Sequence, residues 1–299
     1  MAAATRRPFW LSGRGAVAGI PYLWLFVFFL VPFAIVFRIS LSEPMLAQPP
    51  YSPLFAQDGS YAGSFFNYEF LFDDALYRAG YFNSLMVAGI STFITLLIGY
   101  PMAYAIARAT PTARNLLLMA VMLPFWSSFL LRVYALKTLM ADTGLVNAVL
   151  LAIGVTDTPI RMLQTDFALY AGISYTYLPF MILPLYATLE RLDWSLVEAA
   201  EDLGCRPWEA FLLVTLPLSV PGVIAGAMLV FIPATGEFVI PNLLGASDTL
   251  MIGRMLWDTF FNERDWTLAS ALAVVLLLLL VVPIMLFQAV ENRRRGGEA

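Results

Sequence analysis

The sequence predicts an all-α integral membrane protein with six transmembrane helices. Three observations carry that expectation. Of the 299 residues, 60% are hydrophobic and only 13% charged, which is more apolar surface than a soluble domain of this length can bury. Six segments each hold the roughly 20 predominantly apolar residues that a spanning helix needs. Arginines cluster near both ends of the chain. By the positive-inside rule both ends are then cytoplasmic, which requires an even number of spans.

Taken in order, residues 1–15 form a cytoplasmic N-terminus carrying Arg6, Arg7 and Arg14, and the first span covers about 16–37. Its apolar run is longer than a signal-peptide core, and the Ala16-Val17-Ala18 pattern precedes the run instead of following it. We therefore expect an uncleaved anchor. Residues 38–78 lie outside: Pro44, Pro49, Pro50 and Pro53 disfavour a helix, and the aromatic run from Tyr61 to Phe72 suits the membrane–water interface. A core over 79–290 follows. Spans 81–107 and 115–136 are joined inside by a short turn with Arg108 and Arg114. Residues 137–166 are outside, where the apolar stretch Gly144 to Gly154 is too short to span and predicts a short surface helix. Spans 167–189 and 218–243 flank a connection at 190–215. Parity puts it inside, although Glu190, Asp193, Glu198, Glu201, Asp202 and Glu209 outnumber Arg191 and Arg206; acids weigh little in the rule. Residues 244–266 lie outside. The last span, 267–290, precedes a cytoplasmic tail at 291–299 with Arg293, Arg294 and Arg295.

Composition also excludes function classes. There is no histidine, so histidine metal sites, Ser-His triads and histidine proton relays are absent. The one cysteine, Cys205, forms no internal disulfide or cysteine zinc site and reads as a packing residue. Lys137, the sole lysine, precedes Thr138 but follows Leu136 instead of glycine, so no Walker A loop exists. If ATP drives this protein, another chain binds it. A net charge of −4 and the lack of an internal basic stripe give no nucleic-acid surface. No catalytic or metal site is expected.

The 190–215 connection is built like a device. Ser195-Leu196-Val197-Glu198 has capping-box form, and Leu196, Ala199, Ala200 and Leu203 recur at spacings of three and four as one apolar stripe. Glu198, Glu201 and Asp202 spread over the other side. Gly204 stands where a left-handed cap stops a helix, and Pro207 where the next helix opens. A helix lying on the anionic inner leaflet carries basic residues on its polar face; acids here point to a protein groove instead.

Within the membrane, Glu237 is the most informative residue. A charge near the bilayer centre costs on the order of 3 kcal/mol, so such groups face a cavity or a partner. Helical spacing puts Pro233, Val230 and Gly226 on its face. Two readings stay open: a carboxylate beside a translocation path, or one that is hydrated near the outer surface or paired with an arginine such as Arg132. Trp126, Tyr134 and Tyr177 offer ring faces that attract organic cations by roughly 0.5–2 kcal/mol, and the same rings serve packing and interface anchoring. Gly222 and Gly226 form a GxxxG pair that reads as helix packing.

Glu198-Ala199-Ala200, then Gly204, then Val214, Leu216 and Pro217 stand at the spacing of the EAA loop and resemble that loop in bacterial ATP-binding-cassette importer permeases, with valine in place of the commoner isoleucine. Residues from about 80 to 290 are similar to the core of a type I importer permease, which Tyr81-Phe82-Asn83-Ser84-Leu85 opens. Asn67-Tyr68-Glu69, Trp126-Ser127-Ser128 with Arg132, Tyr177-Leu178-Pro179-Phe180 and Gly236-Glu237-Phe238-Val239-Ile240-Pro241 look most like the polyamine (putrescine/spermidine) permeases. The resemblance implies a bacterial inner-membrane permease subunit in contact with lipid and no nucleic acid. It implies a second permease chain, two cytoplasmic ATPase subunits that use ATP, and a periplasmic substrate-binding protein. Glu198, Ala199, Ala200, Gly204 and Pro217 would couple to the ATPase, and Glu237, Trp126, Tyr134 and Tyr177 would border the path. The chain itself would bind no cofactor. Alternatives are a secondary transporter driven by an ion gradient, a permease for other cargo, or a membrane enzyme. The first calls for intramembrane ionisable groups and inverted repeats, the last for clustered catalytic groups.

Overall fold

The computed structural model describes residues 13–55 and 60–296, which are helical apart from loops and two isolated bridges, Pro44–Tyr51 and Phe55–Tyr61. Among these residues four helices are long and apolar enough to cross a membrane: Gly19–Ser40, Ala75–Arg108, Asp166–Leu189 and Pro207–Thr235. A fifth arises if Pro111–Trp126 and Phe129–Leu139, bent by 95°, count as one broken span, and Trp266–Val282 is a shorter apolar helix. Length and apolarity alone thus mark four or five spans among the described residues, while all six expected segments are helical over most of their length.

The chain divides into two compact units, one of residues 1–75 with 256–299 and one of residues 76–255. In the first, α1 (Gly13–Leu25) and α2 (Val31–Ser40) are joined by a π-helical turn at Phe26–Leu30. Val31 N–H reaches back five residues to Phe26 because Pro32, next in line, has no N–H to continue the α pattern. Gly19–Ser40 is unburied along its hydropathic core, as suits a helix surrounded by lipid. The aromatic run folds into α3 (Phe66–Asp73). Its Asn67 is buried and donates to the Ser40 and Ser42 carbonyls, both at 2.9 Å, while the Tyr68 hydroxyl meets Ser40 Oγ at 2.6 Å. These bonds satisfy carbonyls that the end of α2 leaves open. The long helix α14 (Trp266–Gly296) packs on α2 and α3 in the same unit.

In the second unit, α4 (Ala75–Arg108) is followed by α5 (Pro111–Met122), a 3₁₀ turn at Leu123–Trp126, and α6 (Phe129–Leu139). The expected straight span at 115–136 is therefore broken. Pro124 removes a backbone donor, Ser127 is extended, and Ser127 gives both its N–H (3.2 Å) and its hydroxyl (2.8 Å) to the Pro124 carbonyl. The short helix α7 (Leu145–Ala152) falls where the 144–154 stretch predicted one. Helix α8 (Asp166–Leu189) is the centre of the unit, with Leu169, Ile173, Met181, Ile182, Leu185 and Leu189 almost fully buried.

Beyond α8 come α9 (Ser195–Asp202), α10 (Pro207–Ala210), a π-helical turn at Phe211–Thr215, and α11 (Leu216–Thr235). The π turn again precedes a proline: Leu216 N–H bonds Phe211 O, and Pro217 follows. Helix α11 lies along α8 through its glycines. A Cβ on Gly226 would stand 2.8 Å from Met181 Sδ, and one on Gly222 2.6 Å from Thr188 Oγ1, so the GxxxG pair is a packing seam. Gly99 on α4 meets the same Met181, which places α8 between α4 and α11. Tyr100 Oη and Ser219 Oγ, 2.8 Å apart, tie α4 to α11 directly. The expected span at 218–243 begins earlier and ends at Thr235. After Gly236 the chain turns into α12 (Val239–Leu243), and α13 (Ile252–Trp257) follows a loop.

Candidate functional site

The 190–217 loop is held at its root by side chains of α4 and α5. Glu190, just past α8, pairs with Arg114 at 2.9 Å, and Arg114 Nη2 also donates to the Ala107 and Ala109 carbonyls at 3.1 and 3.3 Å. The Arg108 guanidinium lies 5.2 Å from the Trp194 ring centre and 5.8 Å from that of Tyr104, and donates to the Tyr104 hydroxyl at 3.0 Å. Tyr104 stands edge-on to Trp194 before α9 and to Phe211 after α10, so one ring braces both limbs of the loop.

Helix α9 starts differently from the capping-box expectation. Ser195 is already helical, and the group that receives its N–H is the Asp193 carboxylate, at 3.1 Å. The cap therefore sits two residues earlier than the pattern placed it, because Ser and Asp both suit the role and Asp193 is the one outside the helix. Hydrogen bonds from the Ser195 side chain and backbone hold the Asp193 carboxyl below its usual value. The C-terminus matches expectation: Gly204 has φ of +95°, with Cys205 N–H to Ala200 O at 3.1 Å and Gly204 N–H to Glu201 O at 2.9 Å, the paired bonds of a left-handed helix stop. Pro207 opens α10, and Glu209 accepts the Arg206 N–H at 2.8 Å.

Only Val197 of α9 is buried against the chain. The apolar stripe points away: Leu196 is 48% and Leu203 88% exposed, Ala199 is exposed and Ala200 half-buried, with Trp208 beyond at 58%. Glu198, Gly204 and Pro217 are exposed as well. Among the described residues nothing covers this apolar ridge, which Glu198, Glu201 and Asp202 flank, and an exposed ridge of this kind is a candidate contact surface.

The second predicted cluster resolves unevenly. Glu237 is 7% exposed and lies in the break between α11 and α12. Its carboxylate accepts the Tyr177 hydroxyl and the N–H groups of Val239 (3.0 Å) and Ile240 (3.4 Å), so it caps α12. Arg132 faces a ring: its guanidinium lies 4.9 Å from the Phe125 ring centre. The helical-spacing argument fails here because α11 ends before residue 237: Val230 and Gly226 are buried while Pro233 is exposed. Tyr177 and Glu237 are thus brought together. From Tyr177 the rings of Phe180 (6.1 Å) and Phe125 (5.1 Å from Phe180) run to the 3₁₀ turn. Trp126, 82% exposed, and Tyr134, 52% exposed, present open faces instead. Sequence reasoning used Arg108 and Arg114 for topology alone and missed their bracing role. Their positions six apart across a short helix–helix turn were the available signal.

Comparison with known proteins gives a consistent picture. A family model described as "Binding-protein-dependent transport system inner membrane component" matches residues 16–296. The chain is 39% identical over 272 residues to the spermidine/putrescine transport system permease protein PotB of Haemophilus influenzae, covering 90% of each chain. It is 39% identical over 214 residues to PotB of Escherichia coli K12, covering 72% of this chain and 78% of the relative. The trehalose transport system permease protein SugB of Mycobacterium tuberculosis is 27% identical over 306 residues. In fold the chain resembles a bacterial ABC transporter involved in import of the acidic polysaccharide alginate, with a TM-score of 0.69, 17% identity, and coverage of 93% and 94%.

Proposed function

Because the chain belongs to the family of binding-protein-dependent transport system inner membrane components, we propose that it is the multi-pass permease of an ABC importer whose cargo is a polyamine, spermidine or putrescine. The observation that carries the cargo is 39% identity along 90% of both chains to a spermidine/putrescine permease. Fold alone does not carry it, since a permease for an acidic polysaccharide has the same architecture. The gradient-driven alternative is not favoured.

In this reading both termini and the 190–217 loop are cytoplasmic and the chain crosses the membrane six times. The exposed stripe of α9, with Glu198, Ala199 and Ala200, docks into a separate ATPase. Gly204 supplies the bend, and Pro217 seats α11 in the membrane. ATP is bound and hydrolysed by two such ATPase subunits, a second permease chain completes the path, and a periplasmic protein delivers the cargo. A solved alginate transporter with a ligand-bound periplasmic protein supports that last partner by fold likeness. The path passes Tyr177 and Glu237, where a carboxylate and a ring face suit a di- or trication, and Trp126 and Tyr134 offer further faces.

The test is uptake into vesicles. Spermidine accumulation that requires both ATP and the added ATPase supports the proposal. Accumulation by the purified chain alone under a proton or sodium gradient would overturn it.

A further inference from the structure

On the reading just given both chain ends are cytoplasmic. The end of α2 at Ser40 and the start of α14 at Trp266 then both lie at the outer face of the membrane, and α2 and α14 pack together in the first unit. At that level, within the same unit, the Pro44–Tyr51 hairpin faces the π-helical turn at Asp258–Asn262 and the 263–266 corner. Between them lies a cavity of about 1290 Å³, roomier than the roughly 300–1,000 Å³ of an ordinary small-molecule pocket.

The corner is built tightly. Arg264 is left-handed at φ 60°, a place that a helix end ordinarily gives to glycine, and Asp265 N–H closes that end on Thr259 O at 3.0 Å. Asp265 is committed to starting α14: its Oδ1 accepts the Thr267 N–H (3.1 Å), the Thr267 hydroxyl (2.7 Å) and the Leu268 N–H (3.0 Å). Trp266 stacks on Phe260, with centres 5.4 Å apart and planes at 12°, and Phe261 meets Phe260 edge-on at 4.8 Å. Across the gap, Met45 N–H donates to Pro50 O at 3.2 Å and holds the hairpin, whose tip exposes Leu46 completely and Met45 by 49%. Among the described residues, the side chains of Glu263 and Arg264 have no hydrogen-bond or ion-pair partner, although both line the cavity.

The lining thus offers one open carboxylate, one open guanidinium and a wall of rings. Arg264 opposes a polyamine, and Glu263 opposes a purely anionic group. A zwitterion with a phosphate and an ammonium a few atoms apart satisfies both. The guanidinium takes the phosphate through paired hydrogen bonds, and the carboxylate and ring faces take the ammonium. Arginine held where glycine would fold at lower cost marks its side chain as the useful part of the residue. Exposed Leu46 and Phe261, beside the point where two spans surface, suit a lipid boundary better than open water. Resting on the orientation given above, we propose that the cavity holds the headgroup of a zwitterionic phospholipid of the outer leaflet. Its phosphate sits on Arg264, and its ammonium on Glu263 and the Phe260–Trp266 stack.

The experiment adds dioctanoyl phosphatidylethanolamine or phosphatidylglycerol to the complete importer in detergent, without ATP or cargo, and reads bound lipid by native mass spectrometry. The wild type should bind the ethanolamine lipid at a half-saturating concentration about tenfold below that for the glycerol lipid. Arg264→Gly and Glu263→Gln should each erase most of that preference. Arg264→Gly should also melt at or above the wild-type temperature, since glycine relieves the left-handed position, so its loss of binding is not misfolding. Equal binding of the two lipids by the wild type overturns the proposal, as does a preference that survives both substitutions. A preference for the glycerol lipid that Arg264→Gly removes assigns the cavity to an anionic headgroup and overturns it too. Displacement of the ethanolamine lipid by millimolar spermidine assigns the cavity to the cargo, with the same consequence. Labelling of Cys205 from outside the membrane would instead sink the orientation, and failure of the wild type to import spermidine with ATP would sink the importer reading. Neither of those measurements depends on lipid counting, so the failures are distinguishable.

Discussion

At the scale of single residues, two positions bear most of the functional reading. Gly204 is left-handed at φ +95°, and a Cβ there would meet nothing within 4 Å. The constraint is purely conformational: a non-glycine residue costs roughly 1–2 kcal/mol in this region, and a β-branched one more. Gly204→Val should therefore cut spermidine uptake while ATP hydrolysis persists, and Gly204→Asn, which tolerates the left-handed region, should fall between. Equal uptake by all three would remove the bend from the coupling mechanism. Glu237 was legible as unusual because an acid stood in an apolar run. Its partners were not, since Tyr177 lies 60 residues away in sequence. Replacing the carboxylate by an amide keeps the shape but weakens charge-assisted bonds by about 1 kcal/mol. We expect Glu237→Gln to assemble normally and import more slowly, with a slightly lower melting temperature. Uptake at the wild-type rate alongside the lower melting temperature would make Glu237 a cap of α12 and nothing more.

Among elements, the informative relation is between the α4–α5 corner and the loop. Arg114 pairs with Glu190, but the pair is partly exposed, at 27% and 41%, so the ion pair alone contributes about 0.2–1 kcal/mol. Arg114 additionally satisfies two carbonyls at the end of α4. Arg114→Ala should accordingly lower the uptake obtained per ATP hydrolysed well below what Glu190→Gln does, as read from uptake and phosphate release on one preparation. Similar losses from both would show that the ion pair, and not the carbonyl caps, transmits the motion. Element boundaries were readable where local chemistry decides them. The Gly204 stop, the Pro207 start and the 145–152 helix all follow from residues within one turn. The 95° break at 123–128 was not, because the periodic apolar pattern runs straight through it and only the backbone groups freed by Pro124 favour the bend.

For the whole molecule, the sole cysteine is a built-in reporter of orientation. Cys205 lies in the loop, half-buried beside exposed Gly204 and Arg206. A membrane-impermeant maleimide should label it in inverted vesicles and leave it unlabelled in intact spheroplasts; labelling from outside would reverse the topology. Composition and the 198–217 pattern sufficed to determine the class of molecule and its membrane location, because hydrophobicity and short-range spacing act locally and are written residue by residue. Tertiary structure alone decided that Met181 sits between Gly99 and Gly226, that Glu237 is satisfied by Tyr177, and that Lys137, Arg161 and Arg254 share one cavity. Such contacts join groups far apart in the chain, and their energies depend on distances that no local pattern encodes.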